Sequence, residues 1–354
     1  MSRETCLLRL LPWKIVGVTI PNLRGEGASK CARGGRAPHP LPRNFLSTQP
    51  DVPRQMLRVR ACVIFNPTAR GDKARKFRRH LETIGSQMAL KPTPSAGSAR
   101  TLAAESVEEG FDTLIAAGGD GTVNEVLNGI GDARDGFKRA RLAVLPLGTV
   151  NVFARELGLP LRLDRSWTTL QAGREIVIDL PWGEFQSEGK RVRRYFAQMA
   201  GAGLDSSAIA RVSWALKKRI GQGAYILAGF QALMQSQPRV EVLNGPKPAS
   251  GELILVGNGR FYAGSLPIFR AANFQDGALD VCIFPRVNWF QVLRYGLGFV
   301  FNRVPGPCSE THLQASSFTL EATPGAALQM DGELVGQLPV HFGLVPRTLR
   351  VVAP

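Results

Sequence analysis

The sequence predicts an α/β domain built on a mostly parallel sheet, followed by a second domain dominated by antiparallel strands. Two patterns carry this. Between residues 57 and 175, short β-rich apolar runs alternate with amphipathic stretches four times, the pattern of successive βα units. Beyond about residue 175 the rhythm gives way to short runs separated by turn residues. The size agrees: 354 residues, 44% of them hydrophobic, suffice for about two such domains.

The elements follow in order. "LRVRACVIF" (57–65) reads as a strand and "NPTARG" (66–71) as the turn after it. "DKARKFRRHLETIG" reads as an exposed amphipathic helix, "MALKPTPS" as a short strand, and "SARTLAAESVEEG" as a helix capped by Ser98. "FDTLIAAGG" is a buried strand before the helix "TVNEVLNGI"; "RLAVLPLG" is a strand before the helix "TVNVFARELG". "REIVIDLPWGEF", "RRYFAQMAGAG", "GELILVGNGRF", "GALDVCIFP", "SSFTLEA", "ALQMDGEL" and "RTLRVVA" are the later strands, with helical stretches near 205–236 and 288–300. The expected boundaries are therefore 56–178 for the first domain and 179–354 for the second.

Residues 1–55 carry nine Arg and Lys against three acids, are rich in Pro and Gly, and lack periodicity, so they read as disordered. Two accounts of them stay open. They are a processed or basic targeting tail, or they precede a true start at Met56, immediately before the first clean strand. The net charge of +16 suits a polyanion or an anionic membrane surface without choosing between them. Five scattered cysteines, at 6, 31, 62, 282 and 308, show no metal-ligand spacing and suit a reducing compartment. No run of 18 apolar residues predicts a membrane-spanning helix.

Chemistry concentrates in "GGDGTVNEVLNG". Gly118, Gly119, Asp120, Gly121 and Thr122 fall at the carboxyl end of a strand and open a helix, where backbone N–H groups cradle phosphate. It is not a dinucleotide fingerprint, because Asn124 stands where the third glycine belongs, and no G-K-[ST] follows for a P-loop. An acid inside a phosphate loop makes sense if Asp120 faces Mg²⁺, directly or through water. The bland alternative is a tight turn with Asp120 as a helix cap. "PLGTVN", with Gly148, Thr149 and Asn151, and "NPTARG", with Asn66 and Thr68, offer similar residues at two more strand ends. Three such turns at one sheet edge describe a nucleotide crevice.

These residues resemble the diacylglycerol kinase catalytic-domain family, with NAD kinase and phosphofructokinase as distant relatives. The likeness continues in order through "AGAGLDSSAI", "KKRIGQGAYILAGFQAL", "FQDGALDVCIF" and "QMDGEL", over roughly residues 57–353. It implies a Rossmann-like three-layer α/β domain, a β-sandwich, and a lipid headgroup taken in the cleft between them. It implies an ATP- and Mg²⁺-dependent lipid kinase acting on diacylglycerol or a related lipid. Gly118–Thr122 would bind the ATP phosphates, with Asn66, Thr68, Gly148, Thr149, Asp331 and Glu333 helping to hold the nucleotide. Asp276 matches the proposed general base toward the lipid hydroxyl. Taken from the residues alone, both Asp276-Gly277 and Asp331-Gly332 read as hairpin turns. Many relatives read G-T-x-N-D where this chain has Val152, so that acid's role is absent or moved. The expected setting is cytoplasmic and peripheral at the inner face of an anionic membrane, with no nucleic-acid partner and a homodimer allowed. The basic aromatic stretches 213–235 and 288–304 are core helices or membrane-facing surfaces. Two rivals keep part of this reading: a kinase of a soluble acceptor, and a non-catalytic nucleotide- or membrane-binding module.

Overall fold

Apolar runs of five or six residues at the start of the chain become parallel strands: β1 (Ala61–Phe65), β2 (Ala89–Pro92), β3 (Thr113–Gly118) and β4 (Arg141–Pro146). The computed structural model describes residues 60–69, 72–79, 81–86, 88–172, 174–211, 237–301, 310–323 and 325–354. Residues 1–55, Met56 and the basic aromatic stretch 213–235 lie outside them. The parallel order is β2-β1-β3-β4, so the direction of winding reverses between β1 and β3. Ligands of open α/β sheets bind at such a reversal, beyond the carboxyl ends of the strands. The turns 66–69 and 118–122 follow the two strands on either side of it.

Helices cover both sheet faces. α1 (Asp72–Arg79), α2 (Leu81–Gly85), α3 (Ser98–Glu108), α4 (Asp120–Asp132), α5 (Gly136–Arg139), α6 (Val152–Glu156) and α7 (Leu163–Ala172) follow the strands in turn. Ala99, Ala103, Val107, Val126, Leu127 and Ile130 of α3 and α4 pack on one face, and Phe77, Ile84 and Trp167 on the other, giving three layers. Ser98 is the first residue of α3 rather than its cap. The cap is Gly97, and the Glu125 carboxylate of α4 accepts from the N–H groups of Gly97 (3.1 Å) and Ala99 (2.9 Å). A tertiary partner has replaced the local one. The helix expected over 149–158 shrinks to α6, because Asn151 is left-handed with φ 54°.

β5 (Glu175–Ser187) and β18 (Val340–Val352) are thirteen residues each and run through both lobes. Ile176–Ile178 pair with Leu349–Val351, beside β4; Leu180–Phe185 pair with Val345–Val340, beyond an irregularity between Val345 and Leu349. The expected boundary at 178/179 thus falls inside β5, and residues 59–354 cluster as one unit. Asp179 sits at that irregularity, buried, and accepts from the N–H groups of Arg347 (2.7 Å) and Gly277 (2.8 Å).

The second lobe is a β-sandwich. One layer continues the first sheet through β15 (Ser317–Ala322), β8 (Val240–Leu243) and β9 (Ala249–Gly251), with β6 (Lys190–Tyr195) on β5. The other layer holds β14 (Thr311–Ala315), β13 (Leu279–Phe284), β10 (Leu253–Gly257), β7 (Met199–Gly203), β16 (Ala327–Met330) and β17 (Glu333–Gln337). Alternate residues of β13, Val281 and Ile283, fill the interior with Phe196, Phe318 and Phe342. On the outer face, Cys282 and Phe284 pack with Met199, Leu255 and Phe269. That face carries a separate hairpin, β11 (Phe261–Tyr262) with β12 (Leu266–Pro267), and α8 (Leu204–Arg211) follows β7. α9 (Trp289–Phe301) completes the described elements.

Candidate active site

At Gly118 and Gly148 the chain's own packing requires glycine, and at Gly121 a side chain would displace Glu333. A Cβ on Gly118 would lie 2.3 Å from the Thr122 hydroxyl oxygen, one on Gly148 would lie 2.5 Å from the Gly119 Cα, and one on Gly121 would lie 2.6 Å from a Glu333 carboxylate oxygen. The two glycine turns therefore touch backbone to backbone. The Gly118 carbonyl accepts from the N–H groups of Leu147 (2.9 Å) and Gly148 (3.2 Å). Glu333, from the opposite lobe, rests on the first turn of α4. That turn has Gly119 as N-cap, with no side-chain cap bond, so its amides are open to an anion.

A cavity of about 390 Å³ opens beside this turn. Gly119, Asp120, Gly121 and Thr149 line it from the first lobe; Asp205, Asp331 and Glu333 line it from the second. Its apolar wall includes Val123, Val152, Phe153, Met199 and Ile209. The structure thus brings together the two glycine turns and the closing Asp-Gly-Glu segment. Asn66 and Thr68 stand exposed at the end of β1 outside the cavity lining, locked to each other: the Thr68 amide and hydroxyl both donate to Asn66 Oδ1 at 2.9 Å. Gly118 and Thr122 support the turn from behind.

Asp120 crosses from α4 to α6, where its Oδ1 accepts from the Phe153 N–H at 3.3 Å. Burial, only partly offset by the α6 amides, pushes its carboxyl up to about 6, and the nearby Asp331 adds to the shift. The cap expected of Asp120 exists, but on a different helix from its own. Val152 lines the cavity here, so Asp120 has no second acid at that position. Asn151 fixes the approach: its Oδ1 accepts from the Gly148 N–H (3.0 Å) and its amide donates to the Gly148 carbonyl (2.6 Å).

Asp331 is both a turn residue and a strut. Asp331 (φ 49°) and Gly332 (φ 85°) form the two-residue turn between β16 and β17. Its carboxylate accepts from the N–H groups of Ala197 (2.7 Å), Gln198 (2.9 Å) and Met199 (3.1 Å) and from Asn124 Nδ2 (2.8 Å). Burial pushes this carboxyl up while the donors oppose it; since all four of these partners donate, the ionised form is the one accommodated. Glu333 is raised by burial, against the pull of Arg194, whose guanidinium lies 4.0 Å away. Its carboxylate is the least committed in the cavity.

Asp276 is not brought into the cavity. It lies exposed in its own turn, accepting from the Ala278 N–H at 3.0 Å, and Gly277 has φ 75°. The turn alternative describes the backbone at this position, and the general-base role of Asp276 stays what the family resemblance implies.

Asp205, the acid of "AGAGLDSSAI", also lines the cavity. It is 8% exposed, accepts from Tyr262 Oη and from Gln329 Nε2 (2.8 Å), and is pushed up to about 6 by burial. The signal was an acid directly after a glycine-rich buried strand. Lys73 and Arg155 lie close to each other outside the cavity lining. Partial burial and the Arg155 charge hold the Lys73 ammonium below its ordinary value, and among the described residues neither cation has a carboxylate partner. Such a pair suits a polyphosphate.

Among the described residues no group of three or more acids, histidines or cysteines is placed to cage a metal. The donor set suits an ion carried by the nucleotide, because Mg²⁺ commonly takes one or two protein carboxylates plus phosphate oxygens. Glu333 is the residue that would hold it, with Asp120 facing it through water.

Comparison with known proteins agrees with this geometry. Residues 60–181 match the diacylglycerol kinase catalytic domain, and residues 198–353 match the YegS C-terminal NAD kinase beta sandwich-like domain. The chain is 30% identical over 313 residues to a diacylglycerol kinase of Staphylococcus saprophyticus, covering 84% of this chain and 96% of that one. It is 31% identical over 306 residues to a diacylglycerol kinase of Bacillus subtilis, covering 83% and 96%. A solved structure of a diacylglycerol kinase from Bacillus anthracis str. Sterne superposes with a TM-score of 0.64 at 22% identity, covering 84% and 97%. With both lobes matched in order and the glycine turns and acids gathered at one cavity, the chain belongs to the diacylglycerol kinase catalytic-domain family of ATP-dependent lipid kinases.

Proposed function

We propose that the enzyme transfers the γ-phosphate of ATP to the hydroxyl of diacylglycerol or a closely similar lipid, with Asp120 receiving the hydroxyl proton. The observation that carries this reading is a single cavity lined at once by the open α4 amides and by carboxylates from both lobes. The α4 turn, supported by Gly148 and Thr149, grips the phosphates, and Lys73 and Arg155 add positive charge. The hydroxyl oxygen attacks phosphorus, the bond to ADP breaks, and the proton passes to a carboxylate. Asp331 is saturated by four donors, and Asp205 already takes two bonds. Asp120, which lines the cavity at the open α4 turn with its carboxyl raised by burial to about 6 in spite of the α6 amides, is poised to accept. Mg²⁺, when bound with the nucleotide, would neutralise phosphate charge; Glu333 would hold it, with Asp120 reaching it only through water and so left free to take the proton. The decisive assay offers labelled ATP to diacylglycerol in vesicles and to aqueous hydroxyl acceptors together. Label is expected in the lipid pool; label confined to the aqueous pool overturns the reading and favours a soluble acceptor.

A lipid acceptor implies work at a bilayer, and the exposed side chains of α9 support docking there. Trp289 is 64% exposed, Phe290 55%, Leu293 37% and Leu297 44%. They lie on a helix whose start is fixed by reciprocal bonds between Asn288 and Gln291, beside Arg286. Exposed aromatics on a chain of net charge +16 fit an anionic bilayer, here the cytoplasmic face where ATP is available. Among the described residues no helix is long and apolar enough to cross a membrane. The double variant Trp289→Ser, Phe290→Ser is expected to bind phosphatidylglycerol-containing vesicles roughly tenfold more weakly or worse, with turnover of a dispersed short-chain diacylglycerol unchanged. Co-sedimentation with vesicles measures the first, and unchanged co-sedimentation refutes this docking face.

A further inference from the structure

Glu156 closes α6 and does not line the cavity, yet its side chain is only 5% exposed and carries three donors. Oε1 accepts from Arg260 Nε at 2.9 Å; Oε2 accepts from the Phe261 N–H at 2.8 Å and from Gln198 Nε2 at 3.1 Å. Gln198 in turn donates to the Phe261 carbonyl at 2.9 Å, and Gly259 carries no side chain where a Cβ would meet both Gln198 and Glu156 within 3 Å. All of these contacts grip the start of β11. The β11–β12 hairpin has two residues per strand and pairs with no other sheet among the described residues. A ribbon that short does not hold its own conformation. Leu266 and Tyr262 seat it on the outer sheet face, and the Glu156 contacts fix its leading end; the residue after Phe261 is Tyr262, whose hydroxyl reaches Asp205 in the cavity.

One five-residue helix therefore touches both halves of the site. The first turn of α6 meets Asp120, beside the phosphate grip; its last residue holds the hairpin whose Tyr262 orients Asp205. We infer that Glu156 is a positioning residue, which fixes the β11–β12 hairpin so that Tyr262 and Asp205 present one arrangement to the acceptor and thereby sets acceptor affinity without touching either substrate. This rests on the reading that the Asp205 side of the cavity receives the lipid headgroup. Carboxylate acceptors of charged and amide donors are worth more than neutral ones, so losing the charge is felt at the hairpin first.

The test uses Glu156→Gln, which keeps size and one acceptor oxygen, with Arg260→Gln at the exposed rim as a milder second variant. Amide hydrogen exchange of the segment 258–268 is read without substrate, and KM is read separately for diacylglycerol and for ATP. In Glu156→Gln, exchange of the segment is expected to quicken and the diacylglycerol KM to rise, each by roughly tenfold, with the ATP KM within about twofold of wild type. Arg260→Gln is expected to shift the same quantities in the same direction by less. Unchanged exchange in both variants overturns the inference, whatever the activity. So does a rise in both KM values together, which marks general loosening instead of a pin on the acceptor side. A wild-type chain that labels no lipid overturns the functional reading alone, and the exchange result still decides whether Glu156 pins the hairpin.

Discussion

Asp120→Asn is expected to abolish turnover, lowering kcat by roughly 10³-fold or more, while the protein stays folded. Asparagine retains an oxygen that accepts the Phe153 N–H, so α6 keeps its contact with α4 and the melting temperature barely moves. What is lost is an acceptor for the hydroxyl proton and a charge for the nucleotide's metal ion. ATP affinity and circular dichroism of the variant separate this outcome from unfolding; near wild-type kcat in a folded variant refutes the role. The pH profile gives a second check. Activity needs Asp120 ionised, so kcat/KM in the wild type should rise with pH through an apparent value near 6. Asp205 titrates in the same range, so the limb belongs to the cavity until a variant assigns it. In Asp205→Asn the limb should persist. The stability dependence has the opposite sense. A carboxyl raised in the folded state binds its proton more tightly than in the unfolded chain, so its stabilising effect is complete below the unfolded value near 4 and is lost as pH rises through about 6.

The contrast between Asp120 and Asp276 shows what residue order reveals and what it leaves hidden. The parallel lobe was readable because each strand buries an unbroken apolar run and a helix follows it, and parallel strands by themselves put every strand-end turn at one edge; the reversal between β1 and β3 left no local signal. The sandwich was readable as short strands, but its pairing was not, since β5 and β18 meet across 150 residues and no local signal marks their crossing from lobe to lobe. Glycine clustering announced a close approach without saying of what. The partners turned out to be Thr122, Glu333 and a second glycine turn. An Asp-Gly pair is ambiguous for the same reason: Asp276-Gly277 and Asp331-Gly332 both make turns, yet only the second points its carboxylate into a ring of donors. Which turn faces the cavity depends on sheet packing over long sequence separations. Asp205, Glu156 and Tyr262 escape notice for that reason too, their meaning residing in contacts 57 and 105 residues apart.

Asp331→Ala is expected to act on stability before it acts on chemistry. The carboxylate draws three successive backbone N–H groups, 197–199, and the Asn124 amide to one point, and Asn124 also donates to the Tyr195 carbonyl at 3.2 Å beside Asn128, which does so at 2.9 Å. Those contacts run from α4 in one lobe to the start of β7 in the other, so the ring is a joint between the nucleotide turn and the acceptor wall. Truncation orphans four donors away from bulk water and leaves alanine at φ 49°, a conformation it adopts with strain. Two such effects together amount to about 3 kcal/mol, which for a chain of this size lowers Tm by roughly 4–5 °C. Asp331→Asn should fall between, since it keeps two or three acceptor contacts but turns an amide toward an N–H. Differential scanning calorimetry reads both variants. A nucleotide ligand would contribute differently: if Asp331 chiefly bound ATP, Asp331→Ala would melt like the wild type without nucleotide and lose only the stabilisation that ATP adds. A large drop in the nucleotide-free Tm, with the ATP-induced increment preserved, identifies Asp331 as the strut that keeps the two walls of the cavity in register.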